Sequence, residues 1–184
     1  TGRQRPAAGP TRLAAVARFV RGGTWRNFRM RYPEAAEMYG RMMAVSERLE
    51  RLRQAGAADR RPLAEAELAL YRGQCNCGYW HGAFGGIYLP HLRNAVYREL
   101  IAAELAADRA EGRTGPRVEA LTGDFDFDGR PEIRLANDAL DAWLAPDKGG
   151  MLYELDLHAW RHNLLATLDR RPGEHLGVVG LGPA

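Results

Sequence analysis

Between Gly73 and Leu92 the chain reads GQCNCGYWHGAFGGIYLPHL, with two cysteines, two histidines and four aromatic residues set among five glycines. Metal ligation, thiol redox chemistry and the binding of a sugar ring are three chemistries that use such a mixture. Cys75, Cys77, His81 and His91 are possible zinc ligands. Structural zinc sites, however, place about two to four residues between paired cysteines, and C-x-C has one. The same spacing lacks the C-x-x-C geometry of a thioredoxin-type pair. The sugar reading accounts for more of the stretch. Tyr79, Trp80, Phe84 and Tyr88 offer flat apolar faces to the C–H face of a pyranose. Gln74 and Asn76 both donate and accept, as sugar hydroxyls do. Gly82, Gly85 and Gly86 allow close backbone approach or positive φ. Ordinary core packing is the competing explanation for the aromatics.

A second candidate is DFDFDG. Asp124, Asp126 and Asp128 before Gly129 imitate the opening of an EF-hand loop. That loop takes a Glu at its twelfth position, where Leu135 stands here, so calcium is set aside. The alternation with Phe125 and Phe127 instead predicts a strand with one wet and one buried face.

The elements that must position these residues follow from periodicity. Ala35, Met38, Met42, Val45, Leu49 and Leu52 recur at spacings of three and four, predicting a helix from Pro33 to a stop at Gly56. The methionines read as core fillers. A second helix is expected from Pro62 to Tyr71. A third runs from Pro90 to about Ala107, burying Leu92, Val96, Leu100 and Ala103. The Gly-rich stretch connects the last two. Beyond EGRTGPR the period falls to two. VEALTGDFDFDGRPEIRLAND reads as a hairpin turning at Asp128-Gly129, and LDAWLAP with MLYELDL as two more strands around Gly149-Gly150. The expected fold is α+β, mainly α: a small three-helix bundle followed by an incomplete antiparallel β-sandwich segment. Its parts would be a leader or linker over 1–24, a central helical domain over 25–112 and the start of a C-terminal β-domain over 116–184.

The chain has 184 residues and a formal net charge of only +3, too mild for nucleic acid without a concentrated basic patch. No apolar run approaches the ~20 residues of a membrane span. Two cysteines so close together form no extracellular disulfide framework, which favours the cytoplasm.

GQCNCGYWHGAFGG resembles the fifth conserved region of glycoside hydrolase family 57, in its 4-α-glucanotransferase and α-amylase branch. The archaeal form of that motif reads Gln-Cys-Asn-Asp-Ala-Tyr-Trp-His-Gly, matched here by Gln74, Cys75, Asn76, Tyr79, Trp80, His81 and Gly82. GGTWRNF and YPEAAEMYGRM before it, YLPHLRNAVYRELI after it and DFDFDGRPEIRLANDALDAW near the C-terminus extend the similarity over most of the chain. The resemblance implies a catalytic (β/α)7 barrel, a helical segment packed beside it and a C-terminal β-sandwich. It implies that Gln74, Asn76, Tyr79, Trp80 and His81 contact α-glucan or maltooligosaccharide, with Cys75, Gly82, Gly85 and Gly86 shaping the motif. Cys77 departs from the family, since it stands where the archaeal proteins carry an Asp. A retaining mechanism needs two carboxyl groups about 5–5.5 Å apart, and in this family both belong to the barrel. The expectation is therefore the non-barrel part of an α-glucan-processing enzyme, inactive by itself, with no catalytic residue, metal or cofactor of its own. A stand-alone carbohydrate-binding or interaction module is the alternative, and a zinc-stabilised adaptor a third reading.

Overall fold

The computed structural model describes residues 24–56, 60–82 and 84–168. The expected leader over 1–24 lies almost wholly outside them. Among the described residues four helices precede a sheet: α1 (Trp25–Arg31), α2 (Pro33–Ala55), α3 (Arg60–Gly73) and α4 (Pro90–Ala110). The last three are the expected bundle. The short α1 is an addition, started by the Thr24 hydroxyl, which accepts from the Asn27 amide at 3.3 Å. Pro33 opens α2, and Gly56 closes it with φ 69°. Ala35, Met38, Val45 and Leu49 of α2 meet Leu63, Ala66 and Leu70 of α3 and Val96, Leu100 and Ala103 of α4 in one core. Met42 and Leu52 pack at its margin. None of the helices is long and apolar enough to cross a membrane.

The strands β1 (Val118–Gly123), β2 (Glu132–Asn137), β3 (Leu140–Ala145), β4 (Met151–Leu157) and β5 (His162–Asn163) form one antiparallel sheet in sequence order. Asn137 makes the tight β2–β3 turn, its Oδ1 accepting from the amides of Ala139 (2.7 Å) and Leu140 (2.8 Å). One expectation needs correcting here. Residues 124–131 are not strand but a bent loop. Asp124 accepts from the amides of Asp128 and Gly129, and Asp128 from that of Arg130, so the carboxylates take up the N–H groups that a ladder would need. The Phe alternation fails with it. Phe125 meets the Trp143 ring edge-on at 5.0 Å, whereas Phe127 is exposed with φ 62°. This loop rests on α2 at Gly40, where a Cβ would lie 2.5 Å from the Asp126 Cα.

The sheet turns its charged side inward. One cross-strand row is Arg134, Trp143 and Glu154; the next is Ala136, Asp141, Asp156 and Asn163. Both face α2 and α4. The opposite side carries the apolar row Ala120, Leu135, Ala142 and Leu155, with Leu135 exposed. Among the described residues no second layer covers it.

Arg41 of α2, 3% exposed, fills the interface between helices and sheet. Its guanidinium reaches Glu104 of α4 at 2.5 Å, Glu154 at 2.8 Å and Asp156 at 3.2 Å, and lies 4.5 Å from the centre of the Trp143 ring. Arg134 approaches the same ring at 5.0 Å and pairs with Glu104 and Asp141. Burial opposes the charge on Arg41, yet the three carboxylates push its pKa well above the ordinary value. Burial, then the charge of Glu154, pushes Asp156 well above the usual carboxylate range. Burial opposes ionisation of Glu104 too, but Arg134 and Arg41 hold it well below that range.

Removing one partner from such a set leaves buried charge uncompensated. Arg41→Met should lower unfolding free energy by about 3–5 kcal/mol, read by chemical denaturation. A loss below 1 kcal/mol would mean that the interface does not depend on this cation.

His158 sits at the far end, its Nε2 3.4 Å from Asp141. Burial opposes its charge, but Asp141 raises its pKa above the ordinary value of about 6.5. The native state therefore holds this proton more tightly than the unfolded chain does. Its stabilisation is complete below about pH 6.5 and lost as pH climbs through the raised value. His158→Asn should flatten the stability profile in that window while leaving its acid limb in place.

Candidate functional site

The connection between α3 and α4 is two 3-10 turns, Asn76–Gly78 and Gly86–Tyr88. Its tightest point is Gly86. A Cβ there would lie 1.9 Å from the Trp80 carbonyl oxygen and 2.2 Å from that of His81, and φ is 53°. Gly82 and Gly85 also have positive φ. The Ile87 amide donates to the Trp80 carbonyl at 2.8 Å, which locks the loop. Arg93 of α4 adds a brace, donating to the Ile87 carbonyl at 2.5 Å and to that of Ala166 at 3.1 Å.

This folding gives the candidate residues different positions. Trp80, 49% exposed, lies on the wall of a pocket of about 320 Å³. Gln74, Asn76 and Tyr79 line it as well, joined by Trp25 of α1 and by Tyr39 and Met42 of α2. Tyr79 is the floor. It is buried, its hydroxyl donates to the Gly73 carbonyl at 2.8 Å, and burial raises its pKa. Trp25 stacks on Phe28 at 5.7 Å and meets Tyr39 edge-on at 5.8 Å. Arg29 covers the Tyr39 ring at 4.4 Å. His81 stands apart from these lining residues. Its Nδ1 is 2.7 Å from the Tyr88 hydroxyl, which donates to that of Tyr32 at 2.6 Å. Phe28 and Tyr32 meet the His81 ring edge-on at 4.9 and 5.2 Å.

Trp25, Tyr39 and Met42 belong to the pocket although the motif does not contain them. Trp25 offered a signal, being a tryptophan in a polar run. Tyr39 and Met42 offered none, since their spacing fits the core stripe of α2. Among the described residues the pocket walls thus carry indole and phenol rings, one thioether and two amides, with no carboxylate. They can cover an apolar ring face and bond its hydroxyls, and they offer no carboxylate pair of the kind a retaining glycosidase uses.

Cys75 and Cys77 are free and exposed. Among the described residues they do not gather with His81 and His91 into a metal-binding group. A different group does form. Asp124, Asp126, Asp128 and Glu132 bring carboxylate oxygens within 4.8 Å of one another. Glu132, at the ninth position of the loop, was missed because the EF-hand pattern looks to the twelfth. Its Oε2 accepts from the Phe125 amide at 2.7 Å, and burial raises its pKa.

Two family models match the chain. Residues 23–107 match the alpha-amylase/4-alpha-glucanotransferase middle domain, and residues 124–178 the C-terminal domain of the same proteins. The chain carries two domains of the alpha-amylase/4-alpha-glucanotransferase family. It is 40% identical over 153 residues to the 4-alpha-glucanotransferase of Thermococcus kodakarensis, covering 83% of this chain and 20% of that protein. An alpha-amylase of Pyrococcus abyssi is 40% identical over 162 residues, with 88% and 22% covered. The crystal structure of 4-alpha-glucanotransferase from Thermococcus litoralis matches with a TM-score of 0.63 and 38% identity, over 88% of this chain and 22% of that one. The chain thus spans about a fifth of the length of these alpha-amylase/4-alpha-glucanotransferase relatives.

Gly86→Ala should cost roughly 1–3 kcal/mol through backbone strain alone. The clash with the Trp80 carbonyl adds to that cost. The variant should show lowered thermal stability together with altered Trp80 fluorescence; unchanged values for both would show that the loop does not depend on this contact.

Proposed function

We propose that this chain is the non-barrel part of an α-glucan-processing enzyme of glycoside hydrolase family 57, of the 4-α-glucanotransferase or α-amylase type. In this reading the pocket between α1, α2 and the α3–α4 loop lines the substrate cleft, and Trp80 is a platform for a glucose ring. The observation that carries it is the half-exposed Trp80 which, together with Trp25, lines a pocket whose described walls carry amide groups but no carboxylate. Gln74 and Asn76 bond the hydroxyls. Tyr79 and His81 hold the wall, Tyr79 from beneath and His81 from its aromatic box. Cys77 supplies no charge where the archaeal relatives carry an Asp, so affinity here rests more on stacking.

Cleavage with retention needs a nucleophile and an acid/base, both from the barrel, and passes through a glycosyl-enzyme that a sugar hydroxyl or water then resolves. Glu154 and Asp156 are close together, but both are sealed and bound to Arg41. They cannot meet a substrate. The 184-residue chain by itself is expected to bind maltooligosaccharide without turning it over. Two free, exposed thiols favour a cytoplasmic setting.

Trp80→Ala tests the platform. Stacking on an aromatic is worth roughly 1–3 kcal/mol by analogy with nucleobases, so kcat/KM for long glucans in the intact enzyme should fall about five- to 150-fold. The melting temperature should change little, because half of the ring is in water. Unfolding of the variant with normal activity in its folded fraction would make Trp80 a core residue and end this reading.

A further inference from the structure

His81 lies outside the pocket lining, yet its side chain is exposed and its ring is held on several sides. Phe28 and Tyr32 meet it edge-on at 4.9 and 5.2 Å, and Tyr88 stacks on it at 5.3 Å with 26° between the planes. Phe28 is also the ring on which Trp25 stacks, so the box and the pocket share a wall. An exposed imidazole otherwise flips readily about χ2, a broad two-fold torsion. Here three rings and the bond at Nδ1 select one of the two flip states. The proton is fixed by the same contacts. A tyrosine hydroxyl has one proton to give. Tyr88 donates it to the Tyr32 hydroxyl at 2.6 Å, so toward His81 Nδ1, 2.7 Å away, it can only accept. Nδ1 then carries the hydrogen, and in the neutral ring Nε2 keeps the lone pair. Among the described residues Nε2 has no hydrogen-bond partner.

We propose that Tyr32 and Tyr88 are positioning residues that hold His81 in its Nδ1–H form and present Nε2 as a hydrogen-bond acceptor for a glucan hydroxyl beside the pocket. The contact with glucan rests on the glucan-binding reading; the tautomer does not. Nε2 adds something that the pocket walls lack. Gln74 and Asn76 bring amides that donate as well as accept, and so take a hydroxyl in either orientation. Nε2 in this form only accepts. It therefore selects a hydroxyl that donates, and it disfavours an ether or carbonyl oxygen in the same place, where two acceptors would face each other. His81 is in this way a specificity-determining residue, and the two tyrosines act through it.

The test reads the ring directly, by long-range proton–nitrogen correlation on the full chain with isotope-labelled histidine. Among the five histidines, His81 is assigned by the signal that His81→Asn removes. At alkaline pH, on the neutral ring, hydrogen should sit on Nδ1; hydrogen on Nε2 would overturn the proposal. Tyr88→Phe removes the acceptor, and the ring should relax to a mixture of both forms. An unchanged spectrum would show that the tyrosine does not set the proton. The wild-type spectrum decides the tautomer even where Tyr88→Phe does not fold. Two further variants separate contact from scaffold, because an Asn amide reaches as far as Nδ1 and a Gln amide as far as Nε2. His81→Asn should keep the bond to Tyr88 yet weaken maltoheptaose binding about tenfold, the scale of one lost hydrogen bond, while His81→Gln retains most of the affinity. The reverse order, with Asn tolerated and Gln not, would make His81 a brace and overturn its contact with the sugar. An Nδ1–H ring in a chain that binds no maltoheptaose would sink the glucan reading and leave the tautomer standing.

Discussion

The guanidinium of Arg41 is the point through which the helical part and the sheet are held together. α2 contributes the cation, α4 contributes Glu104, and β4 contributes Glu154 and Asp156. Three buried carboxylates around one arginine would repel one another without further charge. Arg134 helps from β2, sharing Glu104 and pairing with Asp141, and both arginines lie against Trp143. Because a guanidinium offers donors in a fixed plane, the contact specifies direction as well as distance. An apolar contact of similar area would let the sheet slide over the helices. Here sliding breaks hydrogen bonds that nothing else in the interior can replace.

The pocket depends on that arrangement indirectly. α2 carries Arg41 toward the sheet and, from the same helix, Tyr39 and Met42 toward the pocket. α4 carries Glu104 to the ionic cluster and, near its start, Arg93 to the Ile87 carbonyl of the motif loop. Gly40, between Tyr39 and Arg41, lets the Asp-rich loop touch α2 directly. The walls of the pocket are thus fixed by helices that are themselves anchored in charge, α2 on the same turn and α4 three turns further on.

Much of this was legible in the sequence where a local rule decides the outcome. Pro33, Gly56 and Pro90 mark helix ends through their own backbone chemistry, and the stripe from Ala35 to Leu52 gave the buried face of α2. The β3–β4 turn followed from Gly149-Gly150. Four things were not legible. The seven residues of α1 are too few for a period, and its aromatics join a cluster built by distant segments. The Asp-Phe alternation mimics a strand because periodicity ignores the ability of Asp carboxylates to capture nearby amides. Alternation also shows which residues share a face without showing which face is inward. Glu154 and Asp156 are interior, bound to Arg41 more than a hundred positions away, which no local pattern in β4 announces. In the motif, residue type alone did not separate Trp80 on the wall from Tyr79 in the floor. Burial separates them, and burial here is set by where Gly86 allows the loop to fold back.

A seam made of charge responds to heat differently from one made of hydrocarbon. Water holds ions less strongly as temperature rises, so the penalty for keeping Arg41 and its carboxylates dry shrinks on warming, while the gain from apolar contact levels off. The joint between helices and sheet is therefore weakest, relative to the bundle it adjoins, in the cold. On heating, the balance moves the other way, and the apolar core of the helices becomes the less resistant half.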